Sequence, residues 1–116
     1  MAEGDEKILL VALQDLKDPD SRGYTLATGQ GPLEVFVVRK GYKVYGYLNH
    51  CPHTGVNLDW TPDQFLDLTC GFIQCATHGA LFRIEDGMCL RGPCAGERLR
   101  SIELLIECGE VFLILR

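Results

Sequence analysis

Histidine is scarce in this sequence, with three in 116 residues, and there is a single tryptophan. Basic residues are also under-supplied: 11 Lys and Arg stand against 16 Asp and Glu, for a formal charge of −5. Without a basic stripe to neutralise phosphates, nucleic acid is excluded as a partner class. An acidic balance of this size suits a basic protein partner, or simply solubility. The apolar run in MAEGDEKILLVAL is too short for a membrane span, and acidic residues stand where a signal peptide carries basic ones. These absences lead to the expectation of a cytoplasmic protein, in a compartment that keeps thiols reduced. There, six cysteines point to metal or redox chemistry rather than a disulfide framework. Repeats and low-complexity tracts are missing, and the length suits one domain over residues 1–116.

What is present is a series of short apolar stretches rich in branched and aromatic residues, separated by Gly and Pro. That composition predicts strands. Lys7–Leu13 is the first. Leu33–Val38 and Lys43–Leu48 flank Arg39-Lys40-Gly41 and read as a hairpin, as do Ala80–Ile84 and Met88–Leu90 around Glu85-Asp86-Gly87. In Ser101–Glu107, Ile102, Leu104 and Ile106 alternate with Glu103, Leu105 and Glu107, giving one wholly apolar face. Cys108-Gly109 then turns the chain into Val111–Leu115, an apolar run expected at the centre of a sheet. The expectation is an all-β domain of at least seven short strands. Thr61-Pro62-Asp63-Gln64 carries the one helical signal, a capping box with Pro at the first position, which predicts a single turn.

Two glycine-terminated pentamers carry the chemistry: CPHTG at Cys51 to Gly55, and CATHG at Cys75 to Gly79. Each supplies one thiol and one imidazole at the end of an expected strand, where loops commonly hold ligands. Two thiolates and two imidazoles admit a structural zinc or a mixed-ligand [2Fe–2S] cluster. Zinc sites of this type usually draw at least one pair of like ligands from one short motif. Here each loop gives one ligand of each kind, which suits two irons gripped between two loops. His50 stands outside the pattern. Cys70-x4-Cys75 imitates a plant-ferredoxin spacing, but accepting it would orphan Cys51 and His53. Cys70, Cys89, Cys94 and Cys108 are expected to be small buried or half-buried residues.

Cys51-x-His53 followed by Cys75-x-x-His78 resembles the paired motif of the Rieske [2Fe–2S] domain. The resemblance runs over roughly residues 33 to 115: Gly92-Pro93 is similar to the family's proline loop, and Ser101–Leu115 to its closing hairpin. It implies that Cys51 and Cys75 bind one iron, and His53 and His78 the other. The spacer, residues 54 to 74, is longer than is usual in the family. Neutral imidazoles replace two anionic thiolates, so such clusters accept an electron at roughly −150 to +300 mV, against about −400 mV for plant-type clusters. High-potential relatives add a disulfide and two hydroxyl donors to the cluster sulfurs. Val56, Thr77, Ala80 and Phe82 stand at those four places, which implies the low-potential branch.

The resemblance thus implies a soluble Rieske-type ferredoxin. It would take one electron from a flavin-dependent reductase and pass it to a terminal enzyme such as a ring-hydroxylating oxygenase, without catalysing a reaction itself. Acidic residues such as Asp59 and Asp63 are expected at the rim of the docking surface. The oxygenase component is not expected, because no chain remains for a mononuclear iron domain and two of the three histidines are already used. The competing reading is a regulatory or structural subunit of a larger reductase, of the nitrite reductase type. A zinc-stabilised interaction module is a third.

Overall fold

The computed structural model describes residues 6–29, 31–50, 58, 64–75, 79–92 and 95–115. Among the described residues nine strands follow in chain order: β1 (Glu6–Ala12), β2 (Asp20–Thr28), β3 (Gly31–Lys40), β4 (Lys43–Leu48), β5 (Phe72–Gln74), β6 (Leu81–Arg83), β7 (Cys89–Arg91), β8 (Glu103–Glu107) and β9 (Glu110–Leu115). They form three antiparallel sheets of three strands, ordered β1-β9-β8, β2-β3-β4 and β5-β6-β7. The all-β expectation holds. Among the described residues the one helical element is a 3-10 turn at Leu13–Asp15.

The middle sheet works as a central layer. Val35, Phe36, Val37 and Val38 on β3 are all fully buried, and a strand covered on both faces reads as a continuous apolar run, as LEVFVV does. Phe36 and Val38 face one core, shared with Tyr47 of β4 and with Leu58, Phe65, Ile73, Cys75, Ala80, Phe82, Ile84, Cys89 and Leu99. There the Phe36 and Phe65 rings stack at 4.3 Å. Val37 points the other way, into a second core with Val11, Leu16 and Val111. The sheet β5-β6-β7 therefore packs on one face of the central layer and β1-β9-β8 on the other.

β9 lies between β1 and β8, as its apolar run predicts. Its partner β8 is an edge strand, so Leu105 and Ile106 stay 37% and 42% exposed although the alternation marks Ile106 for burial. β2 was not among the strands named from the sequence, and Ser21 and Gly23 are poor strand formers. Long pairing with β3, from Asp20↔Arg39 to Thr28↔Gly31, overrides that local preference. The 3-10 turn was also unmarked in sequence. It is held from outside, for the Arg39 guanidinium donates to the carbonyls of Leu13 (3.1 Å) and Leu16 (2.7 Å). The capping box at Thr61-Pro62-Asp63 lies outside the described residues.

Close contacts join the layers. The Tyr47 hydroxyl donates to the Ile84 carbonyl at 2.6 Å, and burial pushes its pKa above the ordinary tyrosine value. Residues 100–102 pair with β4: Leu48 N–H donates to Arg100 O (2.8 Å), Ile102 N–H to Gly46 O (3.0 Å), and Tyr47 bridges Ser101. Gly46 leaves the room for this approach. A β-carbon there would stand 2.7 Å from Ile102 Cγ1 and 2.9 Å from Leu104 Cδ1.

Candidate metal centre

β4 runs through Leu48 toward Cys51, and β5 ends beside Cys75. Both loops are thus rooted in strands that are clamped by the same core. Cys75 is fully buried and not disulfide-bonded. Its N–H donates to Ala80 O at 2.9 Å, and its carbonyl accepts from Gly79 N–H at 2.8 Å. These two bonds tie Cys75 directly to residues 79 and 80. A buried backbone group needs such a partner, and residues 79 and 80 supply both.

Asn49 precedes the first loop. This residue is 6% exposed. Its N–H donates to Glu34 O at 2.9 Å, while its side-chain oxygen accepts from Leu58 N–H at 2.8 Å. Asn49 therefore ties Leu58 to the central sheet, through its own main-chain N–H and its side-chain oxygen. Sequence reasoning passed over Asn49, whose only mark was its place beside the motif. His50 N–H folds back onto Leu48 O at 2.9 Å, and its side chain is exposed.

A third segment closes on the second loop. Gly92 has φ +111°, and a β-carbon on it would lie 2.9 Å from both Cα and Cβ of Ala80. Only glycine tolerates both that backbone and that approach. The chain leading to Pro93 is thus pressed against the base of the Cys75 loop. Ala80 and Phe82 are both buried, 1% and 0% exposed, with no hydroxyl to offer.

Of the expected ligands the structure describes Cys75; Cys51, His53 and His78 lie outside the described residues, as do Asp59, Asp63 and Cys94. Among the described residues no three His, Cys, Asp or Glu side chains converge on a metal position. The remaining cysteines depart in part from expectation. Cys89 is buried, its Sγ 3.4 Å from Arg91 O. Cys70 and Cys108 are exposed, at φ +59° and +53°. Both sit in tight turns that bring the chain to the surface, where apolar character does not decide burial.

The charged groups of the β6–β7 turn are paired with one another or with β3. Arg83 grips Asp86 through two bonds of 2.9 and 2.8 Å. This guanidinium, with the Met88 N–H, lowers the Asp86 carboxyl to about 2. Lys40 meets Glu85 at 2.6 Å and lowers its carboxyl in turn.

Comparison with known proteins assigns the class. The Rieske [2Fe-2S] domain family model matches residues 6–107. The chain belongs to that family, whose cofactor is a [2Fe–2S] cluster. Iron–sulfur clusters are held by cysteine thiolates, and Cys75, buried and free of a disulfide, suits that donor role. Among solved structures, the ferredoxin of carbazole 1,9a-dioxygenase from Nocardioides aromaticivorans IC177 has the same fold. Its TM-score is 0.69 at 23% identity, over 92% of this chain and 95% of that one. A chain from a complex of reduced oxygenase and oxidized ferredoxin in carbazole 1,9a-dioxygenase gives 0.71 at 23% identity, over 92% and 91%. The terminal oxygenase of carbazole 1,9a-dioxygenase from Novosphingobium sp. KA1 gives 0.74 at 21% identity, over 93% of this chain but 29% of that one. No curated protein matches the sequence significantly. No helix among the described residues is long and apolar enough to cross a membrane.

Proposed function

We propose that the protein is a cytoplasmic Rieske-type ferredoxin, one domain over residues 1–116, which carries single electrons and catalyses no reaction of its own. Cys51 and Cys75 hold one iron of a [2Fe–2S] cluster, and His53 and His78 hold the other. A flavin-dependent reductase supplies the electron, and a terminal oxygenase or comparable redox enzyme receives it. The carrying observation is the end-to-end similarity to a ferredoxin chain, 92% of one against 95% of the other. Similarity to the oxygenase chain extends over less than a third of its length. The buried thiol of Cys75 and the absence of hydroxyls at Ala80 and Phe82 support a centre near the negative end of the mixed-ligand range, roughly −150 mV.

Iron, sulfide and zinc analysis of the purified protein tests the reading. About two irons and two sulfides per chain are expected, with a visible spectrum that bleaches on reduction. His53→Ala or His78→Ala removes that spectrum, and His50→Ala keeps it. A colourless protein with one zinc per chain refutes the proposal.

A further inference from the structure

A groove of 320 Å³ lies beside the root of the first cluster loop, lined by Leu48, His50, Arg98 and Arg100. Its cations are aimed by the backbone. Leu99 is 3% exposed and its N–H donates to Gly87 O at 2.9 Å. With Leu99 turned inward in an extended segment, its neighbours Arg98 and Arg100 turn outward together. Arg98 bridges Met88, and Arg100 O accepts from Leu48 N–H, so both ends of the segment are fixed.

Neither guanidinium is tied up in an ion pair among the described residues, although Arg98 stands near enough to Asp86 to help lower its carboxyl. The described ion pairs use Lys7, Lys40 and Arg83, and Arg39 and Arg22 donate to main-chain carbonyls. Among the described residues Arg98 and Arg100 belong to no ion pair, and both are exposed. Residues 95–101 carry two Arg and one Glu, a local charge of +1 within a chain of −5. His50, on the groove wall, is bonded directly to Cys51.

We propose that this groove is a docking surface for carboxylates on an acidic face of a redox-partner protein. The inference rests on the electron-carrier reading above and assigns the partner's chemistry. Two planar forks beside an apolar floor suit paired carboxylates, and the groove's place at the loop root brings such a partner to the cluster end. The overall charge of −5 would repel that partner at long range. Opposite local charge at the contact instead steers the final orientation.

The test has two arms. Binding of fluorescein-labelled decaglutamate is followed by anisotropy at low ionic strength. The wild-type protein binds it, Arg98→Lys/Arg100→Lys binds it less tightly because a point charge replaces each fork, and Arg98→Glu/Arg100→Glu weakens it by about tenfold or more. Equal binding by the charge-reversed variant overturns the proposal. Displacement of the peptide by millimolar inorganic phosphate, at matched ionic strength, identifies a single-anion site and also overturns it. In the second arm the reduced protein gives one electron to hexacyanoferrate(III) or to tris(phenanthroline)cobalt(III), with no bond made or broken. With the anionic oxidant the rate falls by about tenfold as salt rises, and charge reversal abolishes the fall. A rate that rises with salt, as the net charge alone dictates, overturns the groove's role. A protein that takes up no electron refutes the carrier reading instead, and the peptide arm still decides the groove.

Discussion

Replacing Gly46 by alanine tests whether the contact between β4 and residues 100–104 is rigid. The added β-carbon would stand 2.7 Å from Ile102 Cγ1, 2.8 Å from its Cδ1 and 2.9 Å from Leu104 Cδ1. Leu104 can swing its terminal methyl, but Ile102 Cγ1 is one bond from its own β-carbon. It can leave only by a change of χ1, which a β-branched side chain resists, or by a shift of the main chain, which is itself bonded to Gly46 O. Overpacking of this kind costs about 1–3 kcal/mol. Loss of glycine's freedom in the unfolded chain returns about 0.5–1 kcal/mol. The net destabilisation is about 1–2 kcal/mol, and a domain of this size should lose roughly 5–10 °C in Tm. Scanning calorimetry of Gly46→Ala, Ile102→Ala and the double variant decides the matter. Against Ile102→Ala the alanine at position 46 should be neutral or stabilising, a coupling of about 1–2 kcal/mol. A Tm that rises in the single variant, or a cost unchanged in the double one, would refute the packing argument.

Two other substitutions read the turns. Asp86 has a folded-state pKa of about 2 against 3.8 for the free side chain, held down first by Arg83. A depressed carboxylate stabilises the fold above the unfolded value and loses that contribution as pH falls through the folded one. Asp86→Asn should therefore be less stable than wild type near neutral pH, with the gap closing between about pH 4 and 2 in acid titrations followed by circular dichroism; a constant gap would exclude the charge. Cys108-Gly109, at φ +53° and +75°, forms the two-residue loop between β8 and β9. That geometry favours Asn-Gly, so Cys108→Asn should raise stability by about 0.5–1 kcal/mol in urea unfolding, and a loss would show that the thiol has an unseen structural task.

Strand content was legible wherever one face or both faces are apolar. LEVFVV announced a doubly covered strand, and Val111–Leu115 announced a central one. β2 was hidden because its first half, Asp20 to Gly23, holds poor strand formers, and pairing with β3 overrides them. Exposure of Ile106 was equally hidden, since a strand's place at a sheet edge is a property of topology. Cys51, His53, Cys75 and His78 stood out as a spaced pattern of rare residue types. The residue that ties Leu58 to the central sheet did not, for the side chain of Asn49 acts on a partner nine residues on. Arginines 98 and 100 were masked by averaging: a net charge of −5 hides a local excess of the other sign.

The pairing of residues 100–102 with the end of β4 has a consequence for how this architecture can vary. Everything from residue 49 to residue 100 leaves the framework and returns to it at one seam, where Leu48 N–H meets Arg100 O. Changing the length of chain inside such a closed excursion adds little to its closing entropy, about 0.6 kcal/mol for each doubling. The extended spacer between the two pentamers lies wholly inside that seam. Insertions or deletions there can accumulate over lineages while the seam keeps the flanking strands in register. What the interior must keep is the core it shares with the central sheet, where Leu58, Phe65 and Ile73 meet Phe36 and Val38.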